Sequence, residues 1–519
     1  MSLQNNVSGR SRHQVVGLIL GPSLAALMLL VGVPDSLVIF MGSLDIAAVE
    51  NLRLAEFMAG DAWDPAVAAN VAWRTATVGI LMAVWWATEA VPIAVAALLP
   101  LVVFPLLGIA TIQETSAPYA NKVIYLFLGG FIVAFAMQRW NLHRRIALTV
   151  LQYAGANGRS LVGGFMLASA LISMWVMNTS TTMMLLPIAV SIITVIHKTV
   201  SDLDQTAREN FQYSLLLGVA YGATIGGIST LVGTAPNAML AAFMRETYAT
   251  EIDFSSWMLV GLPLSAAMLP LAWLALTRWV FNVDFTTSPE GRAELRRMKQ
   301  DMGRITVPEQ RVAIVFVCMA LLWVLRPLLV KWSGITALDD SGIAMAGAVA
   351  LFLIPSGDAA DPMLLRWHYA EQLPWSVLIL FGGGLTLAGA VSHTGLATWM
   401  GGSLQAVGTL DVLIIVILSA TMIIFLTELT SNIATTATFL PVIGAIAIGA
   451  ELNPIVLTVP VTLAASCAFM LPVATPPNAI VFGSGLLTVP KMARAGLALN
   501  LISIVLVSIV AVYVAPRFL

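Results

Sequence analysis

Charged side chains are scarce in this chain of 519 residues: 25 Lys and Arg and 27 Asp and Glu amount to only 10% of the sequence. Soluble globular domains carry about 25% charged residues, because their surface faces water. Hydrophobic residues instead account for 59%. This composition excludes a disordered chain and a water-soluble enzyme, and it predicts an all-α protein that crosses a lipid bilayer many times.

Residues that build metal centres and catalytic sites are also few. The two cysteines, Cys318 and Cys467, lie in separate apolar runs, and the five histidines form no HExxH pattern. The apolar runs contain no Ser/Lys dyad and no closely spaced acidic pair, and the net charge of −2 provides no basic field for nucleic acid. We therefore expect no enzyme, no organic cofactor, no transition metal and no nucleic-acid partner.

Apolar stretches long enough to cross a membrane recur along the whole chain, since one crossing needs about 20 mostly apolar residues. These stretches lie at 15–33, 76–90, 92–109, 161–198, 212–245, 256–281, 311–330, 341–356, 411–430, 433–452, 455–472 and 495–516. Two shorter runs, 123–138 and 375–392, are interrupted by glycine and are typical of re-entrant hairpins. Such backbone is tolerated at membrane depth only where protein buries it or where it lines a cavity.

The polar connections predict an orientation. The basic segment 282–310 is expected to be a cytoplasmic loop, because positive charge accumulates on the cytoplasmic side. The segment 41–75 is acidic and is expected to be an extracytoplasmic insert.

Three motifs occur twice in the same order, which indicates an internal duplication. The pattern N-x-x-T-T-x-x-x-L-P spans 178–187 and again 432–441. A Gly-rich run precedes each copy, and a Pro-Asn loop follows it, G-T-A-P-N at 233–237 and A-T-P-P-N at 474–478. Transporters are commonly built from two repeats whose broken helices form the substrate and ion sites.

The duplicated polar motif is suited to breaking a helix inside the membrane. Asn, Thr and Ser side chains compete with helical backbone hydrogen bonds and favour caps and turns. A break frees carbonyl groups, which can bind a cation, and it creates a helix N-terminus, which can bind an anion. With few Lys or Arg in the spans, this arrangement predicts a small carboxylate or sulfate-like anion bound together with Na⁺. Helix–helix packing by the same polar residues is the simpler alternative.

Four titratable residues in apolar or Gly-rich surroundings have no role fixed by the sequence. Glu89 and Glu428 are either functional carboxylates or members of a structural ion pair or a helix end. Lys122 and His393 flank the Gly-rich runs; each is a surface residue or a cation that replaces Na⁺.

Over roughly 75–515 these motifs resemble the divalent anion/sodium symporter (DASS) family. The resemblance is carried by S-M-W-V-M-N-T-S-T-T at 173–182, by T-E-L-T-S-N-I-A-T-T at 427–436 and above all by S-C-A-F-M-L-P-V-A-T-P-P-N-A-I-V at 466–481. It implies about eleven transmembrane helices and two re-entrant hairpins in an inverted repeat. It also implies a homodimer in which a transport domain moves against a scaffold domain as an elevator.

The resemblance divides the chain into five segments. We expect N-terminal scaffold helices at 1–110, a first transport-domain repeat at 111–245, further scaffold helices at 246–365, a second transport-domain repeat at 366–494 and a C-terminal helix at 495–519.

The resemblance also implies the binding residues. The first Na⁺ site would use Ser173, Asn178 and Gly233. The second Na⁺ site would use Thr427, Thr430, Asn432 and Ala474. The substrate would contact Asn178, Thr179, Thr234, Ser431, Asn432 and Pro476. The chain departs from the family's S-N-T triplets at Met177, which lacks the hydroxyl of Ser, and at Ile433, which lacks that of Thr.

The repeat and the broken helices predict a secondary active transporter. The resemblance adds that it lies in a bacterial cytoplasmic membrane and carries C4-dicarboxylates such as succinate, malate and fumarate together with Na⁺. Na⁺-independent dicarboxylate exchange, which Met177 favours, and symport of citrate or sulfate remain alternatives. An ion channel is a further alternative, which saturable competition by dicarboxylates would exclude.

Overall fold

The computed structural model describes residues 11–44, 63–155, 157–200, 203–286, 289–335, 337–358, 361–403 and 410–519. Apart from two isolated β-bridges, regular structure in these ranges is helical. Ten of the described helices are long and apolar enough to cross a membrane, which confirms the predicted all-α polytopic architecture. Most of the acidic insert 41–75 lies outside the described residues.

The helices are numbered here in chain order. They are α1 Arg12–Val31, α2 Asp35–Gly42, α3 Pro65–Thr88, α4 Ile93–Ala97, α5 Leu99–Leu106, α6 Ile112–Ser116, α7 Lys122–Arg139, α8 Leu142–Leu151, α9 Gly158–Ser173, α10 Asn178–Thr199, α11 Gln205–Ile228, α12 Ala235–Tyr248, α13 Phe254–Leu274, α14 Pro289–Asp301, α15 Val307–Ser333, α16 Asp340–Leu353, α17 Trp367–Ala370, α18 Trp375–His393, α19 Leu396–Ser403, α20 Val412–Thr427, α21 Asn432–Gly449, α22 Pro454–Ala465, α23 Pro476–Phe482, α24 Val489–Ile509 and α25 Ala515–Phe518.

One compact unit comprises Met1–Asn121, Trp375–Leu410 and Ile433–Pro454. Within it, α1 and α2 pack along α3, and Leu37, Met41 and Ala72 belong to a buried apolar cluster. The Gly-rich helix α18 lies against α4, where a Cβ atom on residue 383 would lie 2.2 Å from the carbonyl oxygen of Ala97. Only glycine permits this approach of two backbones.

The other compact unit comprises Lys122–Pro374, Asp411–Asn432 and Ile455–Leu519. Its central helix is α11, which is buried continuously from Tyr213 to its end at Ile228 and packs against α9, α10 and α13. Cβ atoms on residues 222 and 226 would lie 2.6 and 2.2 Å from the carbonyl oxygens of Met166 and Ala170. Small residues therefore set the close spacing of α9 and α11.

The helix boundaries repeat the spacing of the sequence motifs. Helices α9 and α20 both begin and end 254 residues apart, at 158 and 412 and at 173 and 427. Helices α10 and α21 begin at Asn178 and Asn432, which are separated by the same 254 residues. A left-handed residue also recurs at this spacing, Asn141 with φ 57° and Gly395 with φ 72°. The duplication read from the motifs therefore extends to the local structure.

The two Gly-rich runs differ in one respect from the expectation. The segments 123–138 and 375–392 each lie within one continuous helix, α7 and α18, so the chain does not reverse inside them. The left-handed residues Asn141 and Gly395 follow these helices instead and lead into α8 and α19. Glycine has a packing role in α7, because a Cβ atom on Gly129 would lie 2.6 Å from the backbone of Ala344 in α16.

The polar segment 282–310 contains helix α14 rather than an irregular loop throughout. Next to it, the largely buried Arg145 Nη2 lies 3.0 Å from Glu309 Oε2, and Arg145 also donates to the carbonyl of Gly303. This pair joins α8 to the start of α15. The cytoplasmic location of the segment stays a prediction, as do the five domain boundaries.

The contact between α7 and α16 predicts an effect of Gly129→Ala. The added methyl group would meet the backbone of Ala344, so the two helices must separate, at a cost of about 1–3 kcal/mol. We expect the thermal unfolding midpoint in detergent to fall by about 3 °C or more. Gly402→Ala is the matched control, because no atom lies within 4 Å of a Cβ built there and alanine favours the helix. Equal midpoints for the two variants would contradict the packing role.

Candidate cation and anion site

The first break between two helices lies at residues 174–177. Helix α9 ends at Ser173, and α10 begins at Asn178 after Met177, whose backbone is extended with φ −49° and ψ 137°. The Met177 side chain provides no cap for α10. Asn178 is therefore the first residue of a helix that starts within an apolar part of the chain.

Oxygen atoms surround the side-chain amide of Asn178. The Ser173 hydroxyl lies 2.6 Å from one end of the amide. With the amide turned so that nitrogen occupies that end, it donates to the carbonyls of Gly233 and Ala223, each at 3.3 Å. One end of the Asn178 amide thus contacts three oxygen atoms. Two are carbonyl acceptors, and the third belongs to the serine hydroxyl, which can also donate.

The second broken helix repeats this arrangement at residues 428–431, between α20 and α21. The Thr427 hydroxyl lies 3.1 Å from the Asn432 amide and also donates to the carbonyl of Ala465 at 3.1 Å. In the turned orientation the Asn432 amide nitrogen donates to the carbonyls of Ala465 and Ala474, each at 3.2 Å. Each half of the protein therefore places one asparagine amide against one hydroxyl and two carbonyls.

Such an oxygen cluster can accommodate either of two partners. Hard cations prefer hydroxyl, carbonyl and amide oxygens as ligands, so the cluster suits Na⁺ when Oδ1 faces it. The same carbonyls accept hydrogen bonds when Nδ2 faces them. A bound cation would therefore favour the orientation with Oδ1 towards the cluster, and an empty cluster would favour the orientation with Nδ2 towards it.

The Pro-Asn loops stabilise two further unwound segments. Asn237 Nδ2 donates to the carbonyls of Gly227, Ile228 and Thr230 at 2.8–3.3 Å. Asn478 Nδ2 donates to the carbonyls of Ala468 and Leu471 at 3.4 and 3.1 Å. These bonds satisfy backbone groups that the end of a helix leaves unpaired, which lipid could not do.

Helix α11 links the two oxygen clusters. The carbonyl of Ala223 faces Asn178, while two residues earlier the Tyr221 hydroxyl donates to the carbonyl of Phe469 at 2.8 Å. Phe469 lies in the segment that leads to Ala474, and α23, which follows, packs against α10. The two halves thus meet in one compact unit.

The structure places the predicted residues as follows. Ser173, Gly233, Thr427 and Ala474 all contact the asparagine of their own half. The Thr430 hydroxyl, in the second break, donates to the carbonyl of Leu426 in the last turn of α20. The remaining candidates lie at helix starts: Thr179, Thr234 and Ser431 are half-buried and Pro476 is exposed.

Several residues of this region were not predicted from the sequence. The carbonyls of Ala223 and Ala465 give no sequence signal, because every residue has a carbonyl. Gly227 is required because a Cβ atom there would lie 2.6 Å from Asn178 Oδ1. The Gly-Gly pair before the loop could have indicated this close approach.

Two of the uncertain titratable residues have structural roles. Glu89 is exposed and ends α3 in a left-handed conformation with φ 47°, so it marks a helix end. Lys122 Nζ lies 3.0 Å from Glu251 Oε1, and this hydrogen bond lowers the pKa of the Glu251 carboxyl group. His393 is the last residue of α18, and its role stays open.

Comparison with known proteins places this geometry in a family. The family model for the sodium:sulfate symporter transmembrane region matches residues 64–516. The sodium-dependent dicarboxylate transporter SdcS of Staphylococcus saprophyticus is 38% identical over 509 residues, which cover 98% of this chain and 92% of that protein. SdcS of Staphylococcus aureus strain USA300 is 40% identical over 438 residues, 84% of each chain.

A solved structure supports the fold. The Alcanivorax borkumensis YdaH transporter aligns with a TM-score of 0.50 over 78% of this chain and 87% of its own, at 12% sequence identity. The predicted resemblance is confirmed: the chain is an integral membrane transporter rather than an enzyme, and it belongs to the sodium:sulfate symporter (DASS) family.

Proposed function

We propose that this protein is a secondary active transporter that moves C4-dicarboxylates such as succinate, malate and fumarate together with Na⁺. The observation that carries the proposal is the pair of oxygen clusters at Asn178 and Asn432, each at the start of a broken helix. The relatives named sodium-dependent dicarboxylate transporters support the choice of ion and substrate.

Coupling follows from the two ends of each asparagine amide. When Na⁺ occupies a cluster, Oδ1 faces the ion and Nδ2 points away from it, as a donor for a carboxylate. When the cluster is empty, Nδ2 donates to the carbonyls of Gly233 or Ala474, and Oδ1 points away. An Oδ1 atom that points away from the cluster, towards the substrate site, repels a carboxylate. The dicarboxylate therefore binds well only after Na⁺.

The anion would be held without a positively charged side chain. Helices α10 and α12 begin at Asn178 and Ala235, and their free N–H groups and positive dipole ends favour negative charge. Thr179, Thr234, Ser431 and Pro476 would line the substrate site beside the two asparagines. Bound Na⁺ would balance the two carboxylates.

We extend the proposal to the assembly and its motion. The protein would form a homodimer. Its location would be a bacterial cytoplasmic membrane, which agrees with the bacterial origin of the relatives. The repeats at 111–245 and 366–494 form a transport domain that moves against the scaffold segments as an elevator. Na⁺-independent exchange is the second candidate, because the Met177 side chain caps nothing at the first cluster.

Uptake into proteoliposomes tests the proposed function. An inward Na⁺ gradient should drive accumulation of labelled succinate, and replacement of Na⁺ by choline should abolish it. Internal succinate should not be required. If uptake instead needs internal dicarboxylate and proceeds equally in choline, the protein is an exchanger; if sulfate or citrate competes better than malate, the substrate assignment fails.

Asn178→Ala and Asn432→Ala should each reduce Na⁺-driven succinate uptake to below about 1% of the wild type, because each removes a cation ligand and an anion donor together. Expression and the gel-filtration profile should stay normal. Asn70→Ala is the matched control, since Asn70 is exposed and its amide donates only within α3, to Ala66. Unchanged uptake in both site variants would remove the coupling mechanism.

Positions 177 and 431 correspond in the two repeats, so a reciprocal exchange tests the effect of the missing hydroxyl. Met177→Ser should lower the Na⁺ concentration for half-maximal uptake about three- to fivefold, because a hydroxyl becomes available beside the first cluster. Ser431→Met should raise it by a similar factor. Identical Na⁺ activation curves for both variants and the wild type would show that neither hydroxyl affects cation binding.

A further inference from the structure

Glu428 is a buried carboxylate at the second break, with only 3% of its surface exposed. Its Oε1 accepts hydrogen bonds from the backbone N–H groups of Phe469 and Met470 at 2.8 and 2.9 Å. Its Oε2 accepts from Met470 and Leu471 at 3.1 and 3.0 Å. The Asn500 amide of α24 donates to Oε1 at 2.7 Å.

Every one of these partners is a hydrogen-bond donor. This matches an ionised carboxylate, because both of its oxygens accept hydrogen bonds. A protonated carboxyl group would need an acceptor for its own proton. In the described part of the chain, no Lys, Arg or His forms an ion pair with Glu428. Dipoles therefore solvate the charge of Glu428 but no opposite charge cancels it.

The position of this charge connects it to the second oxygen cluster. Glu428 follows Thr427 directly and lies four residues before Asn432. The segment that it binds, 469–471, leads to Ala474, whose carbonyl faces the Asn432 amide. Helix α24 packs closely against this segment, since a Cβ atom on Gly496 would lie 2.3 Å from the carbonyl oxygen of Phe469.

The first half stabilises its corresponding segment with neutral groups. Met174 lies 254 residues before Glu428 and occupies the equivalent position after α9. There, Asn237 donates to three carbonyls, and the Trp257 indole donates to the carbonyl of Ile228 at 3.0 Å. The Thr230 hydroxyl donates a hydrogen bond to the carbonyl of Met174 and so connects this loop to the first break. The two repeats thus differ by one buried negative charge.

We propose that Glu428 is a positioning residue that fixes the 469–471 segment and places a buried negative charge beside the second cluster, so that the second cluster binds Na⁺ more tightly than the first. This inference rests on the proposed function. Its physical basis is the long reach of Coulomb attraction in a medium of low dielectric constant. Glu428 is not a ligand of the ion in this arrangement, because both its oxygens are occupied by hydrogen-bond donors.

The test is Glu428→Gln, which keeps the shape and one acceptor and removes the charge. Two quantities should report the loss: the Na⁺ concentration for half-maximal thermal stabilisation without substrate, and that for half-maximal succinate uptake. Both should rise about fivefold or more. The KM for succinate at saturating Na⁺ should stay within twofold of the wild type. Met174→Gln, at the equivalent position of the first repeat, is the matched control and should leave both Na⁺ concentrations unchanged.

Asn500→Ala separates charge from structural support. It removes one donor that solvates Glu428 and leaves the charge, so its half-maximal Na⁺ concentrations should equal or fall below those of the wild type. A purely structural role of the Glu428 contacts predicts a rise instead, and such a rise would overturn the inference. This variant decides the question even where Glu428→Gln does not fold.

The outcomes keep this inference apart from the proposed function. Absence of Na⁺-driven succinate uptake in the wild type would reject the proposed function itself. Na⁺-driven uptake in the wild type, with the same Na⁺ dependence in Glu428→Gln in both measurements, would reject only the role of Glu428.

Discussion

A side-chain amide at the start of a broken helix is the element on which the rest of this structure depends. Asn178 and Asn432 each present one end to a hydroxyl and two carbonyls and the other end away from them. An amide has a donor and an acceptor at fixed positions, so it cannot offer the same atom to both sides. In the proposed mechanism, this property lets a neutral residue link a cation cluster to an anion site, in a protein with few charges in its spans.

A break inside an apolar protein is stable only if its backbone groups find partners. Asn237 and Asn478 provide them in both halves by donating to the freed carbonyls. Apart from these asparagine hydrogen bonds, the halves differ. In the first half the Trp257 indole donates to a further carbonyl, whereas in the second half Glu428 accepts hydrogen bonds from the freed N–H groups. A duplicated architecture can therefore contain two clusters of unequal electrostatics.

Much of this arrangement could be predicted from the sequence because it depends on rare residues at fixed spacing. The twin Asn motifs indicated the breaks, and α10 and α21 begin at these asparagines. The resemblance to the DASS family, rather than the motif itself, implied Ser173 and Thr427. The carbonyls of Ala223 and Ala465 could not be predicted, because backbone groups leave no sequence signal. The partners of Glu428 lie more than 40 residues along the chain and required tertiary structure, and the glycines of α7 support helix packing rather than a turn.

The central claim, that Na⁺ sets the orientation of the asparagine amides and thereby creates the anion site, is tested most directly by equilibrium binding. The Kd of succinate should be measured by calorimetry over a series of Na⁺ concentrations at constant ionic strength, and the Na⁺ affinity should be measured with and without succinate. The account predicts that Na⁺ strengthens succinate binding and that succinate strengthens Na⁺ binding by the same overall factor, as linkage requires. Succinate binding of equal strength in Na⁺ and in choline would contradict it.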